Sequence, residues 1–189
     1  MTKLLQDMTW EEAKEAFKTV RLGIIPTGSM EQHGPHLPVG TDFLIADRLA
    51  KGVAEKTDAI VTPTIPIGFA SYHQDFEGTL AVTPEHLAAY YLDVVNSLLL
   101  FGVTHVLFIN GHGGNAGALS TVCRDLRDRG IPSAFIQWWQ VAGGINEPAE
   151  INFLRLECGM QIWTSCKINV EPTFKIVRPV SKLKITNLE

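Results

Sequence analysis

The chain has 189 residues, of which 46% are apolar and 19% charged, and a formal net charge of −4. That balance suits one globular domain over residues 1–189 with a buried core, and it excludes a disordered chain. It also argues against nucleic-acid binding: the densest basic stretch, Arg124-Asp125-Leu126-Arg127-Asp128-Arg129, alternates in sign and reads as a solvated helix face.

Three cysteines, Cys123, Cys158 and Cys166, form no CxxC pair, which points to reduced thiols. The N-terminal residues lack the apolar run of a signal peptide, and Leu98-Leu99-Leu100-Phe101 is too short to span a bilayer. The expectation is a cytoplasmic protein with no membrane partner.

In chain order, Thr9-Trp10-Glu11-Glu12 is a capping-box pattern and predicts a helix from Trp10 to Val20. Gly23 to Thr27 reads as a short buried strand, followed by a Gly-, Pro- and His-rich loop to Thr41. Asp42 is a candidate cap for a helix from Phe43 to Lys56, where Leu44, Ile45, Leu49 and Val53 recur at helical spacing. Ala59 to Thr62 is a second strand. Pro63 to Thr83 is irregular and carries Tyr72, His73, Asp75 and Glu77; loops of this length in compact domains are often functional.

Thr83-Pro84-Glu85 starts a helix that should run to Phe101 and stop at Gly102. Thr104 to Ile109 is a bulky apolar strand. Asn110 to Asn115 is a tight turn, a helix follows to Arg129 with Gly130 closing it, and Ser133 to Trp138 is a further strand. Beyond that, 148–168 reads as helical and 174–185 as an edge strand. Alternating helices and uniformly apolar strands predict an α/β fold, a mostly parallel sheet with helices on both faces.

Two clusters carry chemistry. The first runs from Gly28 to Asp42 and joins a strand end to a helix start, where open α/β sheets place their sites. Glu31 and His33, two apart, project to the same side of extended backbone. With Asp42 folded over them, one imidazole and two carboxylates suit a borderline divalent ion such as Zn²⁺ or Mn²⁺. The second cluster, Asn110-Gly111-His112-Gly113-Gly114-Asn115, sits at another strand-to-helix junction. His112 there is a candidate second imidazole. The glycine turn before a helix N-terminus also leaves open an anion- or phosphate-binding loop, although the GxGxxG spacing and the P-loop Lys are both missing. Ser29 lacks a G-x-S-x-G setting, which excludes a serine hydrolase.

Together, Gly28 to Asp42 and Asn110 to Asn115 resemble the signature of the creatininase (creatinine amidohydrolase) family. Phe76-Glu77-Gly78-Thr79-Leu80 resembles a further family segment that more often has Pro at the place of Glu77. The resemblance implies a metal pair and a bridging water that attacks an amide or lactam carbonyl. Glu31 would ligate one ion and His33 the other, Asp42 would bridge, and His112 would join one of the two. The implied cofactor is a divalent metal, one or two per chain, Zn first with Mn or Fe as alternatives. The implied substrate is a small non-peptide or cyclic amide cleaved at its C–N bond, and the implied assembly is a homo-oligomer such as a hexamer.

The chain departs from the family pattern at three places. Creatininase carries a ligand Glu where Gly114 stands. Relatives with the His-Gly-Gly-Asn form carry a downstream Glu-His-Gly-Gly-x-x-Glu-Thr-Ser segment, which Glu157-Cys158-Gly159-Met160-Gln161-Ile162-Trp163-Thr164-Ser165 matches in part. There Cys158 replaces the His and Trp163 the second Glu. Glu157, Glu77 or Cys158 is left to supply the missing ligand, and Glu157 is the candidate catalytic acid/base. The alternative function is a degenerate metal-binding relative without hydrolase activity.

Overall fold

The computed structural model describes residues 3–141. Five strands form one sheet: β1 (Lys3–Leu4), β2 (Leu22–Thr27), β3 (Ala59–Val61), β4 (His105–Asn110) and β5 (Ser133–Gln137). Their spatial order is β1-β3-β2-β4-β5, and every neighbouring pair is parallel. The helices are α1 (Trp10–Phe17), α2 (Thr41–Glu55), α3 (Pro84–Leu100), α4 (Ala116–Asp128) and the short α5 (Trp138–Val141).

The capping residues act as the sequence suggests. Thr9 accepts from the Glu12 N–H while the Glu12 carboxylate accepts from the Thr9 N–H, which opens α1. That helix stops at Phe17 rather than Val20, because Val20 is drawn wholly into the core. Thr83 caps α3, with Pro84 in the first position where its missing N–H costs nothing. Gly102, at φ 92°, turns the chain back after α3.

Alternation along β2 divides the core. Ile24 packs with Ala50, Ala54, Val61 and Ile109 against α2 on one face. Ile25 packs with Tyr91, Val95, Phe108, Leu119 and Val122 against α3 and α4 on the other. The sheet is thus covered on both faces, as the uniformly apolar strands require.

From β2 the chain crosses through α2 to β3 on one side; from β4 it crosses through α4 to β5 on the other. The carboxyl ends of β2 and β4 therefore flank the crevice where the winding reverses, the expected place for a ligand in such sheets. Among the described residues, no helix is long and apolar enough to cross a membrane. The expected helix over 148–168, the edge strand over 174–185, and Glu157, Cys158 and Trp163 lie outside the described residues.

Candidate metal centre

The crevice is built by three connections. After β2 the chain turns through Gly28 to His33; the Glu31 N–H donates to the Val39 carbonyl at 2.8 Å, which closes the loop on itself. After β4 the Asn110 side chain makes both halves of the turn, accepting from the His112 N–H at 3.1 Å and donating to the His112 carbonyl at 2.7 Å. The turn lies so close to α2 that a side chain at Gly111 would collide with the Asp42 carbonyl.

These loops bring four side chains together. Glu31, His33, Asp42 and His112 are each at most 7% exposed. Asp42 does not cap α2: Gly40 holds the cap position, and the Asp42 carboxylate turns to the two imidazoles. Its Oδ1 lies 3.0 Å from His33 Nε2 and its Oδ2 lies 2.9 Å from His112 Nδ1. Glu31 Oε1 lies 3.3 Å from the same His112 Nδ1.

The outer nitrogens of the two imidazoles fix their tautomers. His33 Nδ1 is 3.1 Å from the Glu31 carbonyl, and His112 Nε2 is 2.9 Å from the Phe69 carbonyl. A carbonyl oxygen only accepts, so both of these nitrogens carry hydrogen. In a neutral ring the inner nitrogen then presents a lone pair, aimed in each case at an oxygen of Asp42. Two lone pairs cannot satisfy each other; a cation or a proton has to lie between them.

Without a metal, protons do this. Burial alone would lower the His112 pKa, but hydrogen bonding to Asp42 and Glu31 and their charges outweigh it and raise the value to about 10. Burial likewise opposes the charged form of His33, and Asp42 again reverses the sign, so its pKa is raised. Burial pushes the Asp42 carboxyl up, yet the two imidazoles bring it below the ordinary range. Asp42 Oδ2 has His112 Nδ1 as its close partner, at 2.9 Å. A carboxylate oxygen this close to an imidazole nitrogen can share either a proton or a metal ion with it. Glu31, Asp42 and His112 form a group able to hold one, with a donor set of two carboxylates and an imidazole. The hydrogen bonds on the far side of each imidazole are those that orient metal-binding histidines elsewhere.

The creatininase family model, described as creatinine amidohydrolase, matches residues 6–167. The chain belongs to the creatininase family. It is 32% identical over 130 residues to a mycofactocin precursor peptide peptidase of Mycolicibacterium smegmatis, covering 66% of this chain and 52% of that protein. It is 28% identical over 162 residues to the creatinine amidohydrolase of Pseudomonas putida, covering 78% of this chain and 61% of that protein. The chain thus spans about half the length of curated relatives such as this peptidase. Its fold is similar to that of a creatininase mutant of Zn–Zn type, with a TM-score of 0.65 at 25% identity, covering 82% of this chain and 64% of that one.

Among the described residues, the other acidic and histidine side chains named from the sequence lie apart from this buried group. Glu77 and Asp75 are exposed, and neither joins the buried group. His73 stands at the rim, where its Nδ1 is 3.4 Å from the Gln32 side-chain nitrogen. His86 and His105 are exposed, on a helix face and at a strand start away from the crevice.

The position of Gly114 is filled. A Cβ there would overlap the Phe69 carbonyl, lie 2.5 Å from His112 Nε2 and 2.8 Å from the Tyr72 hydroxyl. No carboxylate fits at this place unless the loop before it moves. Two residues of that loop do what sequence reasoning did not anticipate. The Phe69 carbonyl sets the His112 tautomer, and Tyr72 lays its ring 6.2 Å from the His112 ring at an interplanar angle of 20°. The Asn115 side chain holds the loop in place: its Oδ1 accepts from the Phe69 N–H at 3.0 Å and its Nδ2 donates to the Gly28 carbonyl at 2.9 Å.

Proposed function

We propose that the chain is a metal-dependent hydrolase that cleaves the C–N bond of an amide at the Glu31, His33, Asp42 and His112 cluster. The observation that carries this reading is Asp42, one of whose oxygens faces each imidazole lone pair, at 3.0 Å and 2.9 Å. Two carboxylates and two imidazoles would hold one or two divalent ions, zinc or manganese being the best match for the donors. Bound there, the ions would supply a hydroxide nucleophile near neutral pH and polarise the amide carbonyl.

The rest falls to the chain. Glu31 and Asp42 bring two negative charges into a site walled off from solvent, where they act with little screening. The carbonyls of Glu31 and Phe69 lock the imidazoles and spare them reorganisation. We assign the proton for the leaving nitrogen to Glu157, on its match to a family position; such a bond break requires a donor. Family membership also supports a homo-oligomer acting in the cytoplasm on a small molecule. The peptidase name of the mycobacterial relative widens the proposed amide from cyclic and non-peptide bonds to peptide bonds.

A second reading, a metal-binding protein without hydrolysis, draws on the crowding at Gly114, where no fifth ligand fits. One experiment separates the two. The metal-loaded chain is assayed against creatinine, formamides and short peptides, with and without a chelator. Turnover that the chelator abolishes and added zinc or manganese restores supports hydrolysis; stoichiometric metal with no turnover across the panel supports the second reading.

A further inference from the structure

Tyr72 is 55% exposed, yet it is braced on several sides. Its ring stacks on His112, meets Phe69 edge-on at 5.9 Å and meets His73 at 4.6 Å. The loop that carries it is pinned by Asn115 at Phe69 and by the Val82 N–H on the Gly68 carbonyl. Its hydroxyl oxygen lies 3.1 Å from His112 Nε2.

The direction of that contact is determined. His112 Nε2 carries hydrogen because it also faces the Phe69 carbonyl, and this holds whether His112 is an imidazolium or is metal-bound through Nδ1. Nε2–H therefore donates and the Tyr72 oxygen accepts. The phenol's own O–H finds no acceptor among the described residues. Among the described residues this ordered, partly exposed donor is thus left without an acceptor, close enough to Glu31 and Asp42 to feel their charges. It stands where any side chain at position 114 would collide with it.

We propose that the Tyr72 hydroxyl is a binding residue of the site, donating its hydrogen bond to the carbonyl oxygen of the amide substrate. This rests on the metal-centre reading above. The role suits an amide class of ligand: the carbonyl oxygen accepts, and it gains negative charge as the bond is attacked, so a donor held beforehand favours the transition state over the ground state.

The test uses the full chain loaded with Co²⁺, with acetohydroxamate as probe because it chelates metal and presents an amide oxygen. Tyr72→Phe keeps the ring over His112 and removes only the hydroxyl. Cobalt uptake and the absorption spectrum of the probe-free protein should be unchanged, while acetohydroxamate should bind roughly five- to tenfold more weakly, the net effect of one lost hydrogen bond. Equal acetohydroxamate affinity in the two proteins overturns the proposal. A weaker cobalt affinity with no further loss toward the probe also overturns it and makes Tyr72 a positioning residue for His112. Wild-type protein that takes up no cobalt, read first, overturns the metal-centre reading and this one with it.

Discussion

His112 Nδ1 lies 2.9 Å from Asp42 Oδ2, although one residue follows β4 and the other opens α2. Their meeting depends on the reversal of winding between β2 and β4. It places a basic nitrogen against a buried carboxylate at ion-pair distance. Protons and metal compete for that contact.

At pH 7 the metal-free protein should hold a proton on His112, whose pKa is raised to about 10. Zinc binding through Nδ1 must release it, so about one proton per zinc should appear on binding at pH 7. Titration calorimetry in buffers of different ionisation enthalpy reads this as the slope of apparent enthalpy against buffer enthalpy. A slope near zero would contradict the assignment of the Nδ1 lone pair to metal.

The pH dependence of stability should differ in sign with and without metal. In the metal-free protein His112 has a raised pKa, so its contribution is full below its ordinary value of 6.5 and is lost as pH rises toward 10. Asp42 has a lowered pKa, so its contribution is present above its ordinary value of 3.8 and is lost in acid below that. In a chelator, the melting temperature should therefore fall from pH 7 to pH 9; with excess zinc it should hold or rise over the same range. Parallel curves would contradict the competition.

Gly114→Ala should damage the centre while leaving every proposed ligand residue in place. The added methyl meets the Phe69 carbonyl and lies 2.5 Å from His112 Nε2, which breaks the bond that orients the ring. Loss of such a supporting partner weakens metal binding by about 10- to 100-fold. Competition with a chromophoric chelator measures it, and an unchanged affinity would show that the Phe69 contact is dispensable.

Asn115→Ala removes a buried amide that ties the ends of β2 and β4 to the loop at Phe69. The Phe69 N–H and the Gly28 carbonyl would lose their partners, and unfolding should become easier by about 2–3 kcal/mol. Urea denaturation of wild type and variant checks this; a difference below about 0.5 kcal/mol would show that water replaces the amide.

Much of this was legible from sequence because the signals were long or doubled. Thr9 with Glu12, and Thr83 with Pro84, mark helix starts by chemistry that owes nothing to the rest of the fold. Ile24, Ile25, Val106, Phe108 and Ile109 are buried, as expected of strands in a parallel sheet covered by helices on both faces. Glu31, His33, Asp42 and His112 stood out because His and carboxylates gathered beside glycines at two strand ends.

Other features carried no such signal. The two residues of β1 are too few for any periodicity. Asp42 has the composition of a helix cap, and only tertiary contact with two imidazoles gives it another use. The Phe69 carbonyl is a backbone atom and leaves no mark on residue type. Tyr72 lies in a single 3-10 turn, Ser71–His73, too short for a period or motif to say which way the chain folds; its position depends on Asn115, distant in sequence.

The presence of the metal centre is read directly from the metal content of the purified 189-residue chain, by elemental analysis, beside that of Asp42→Ala. The wild-type chain should carry at least one zinc or manganese ion, held by Glu31, Asp42 and His112, and the variant none, because its imidazoles lose the carboxylate they share. A wild-type protein that binds no divalent metal when supplied with it, or a variant that keeps its full complement, would contradict this assignment.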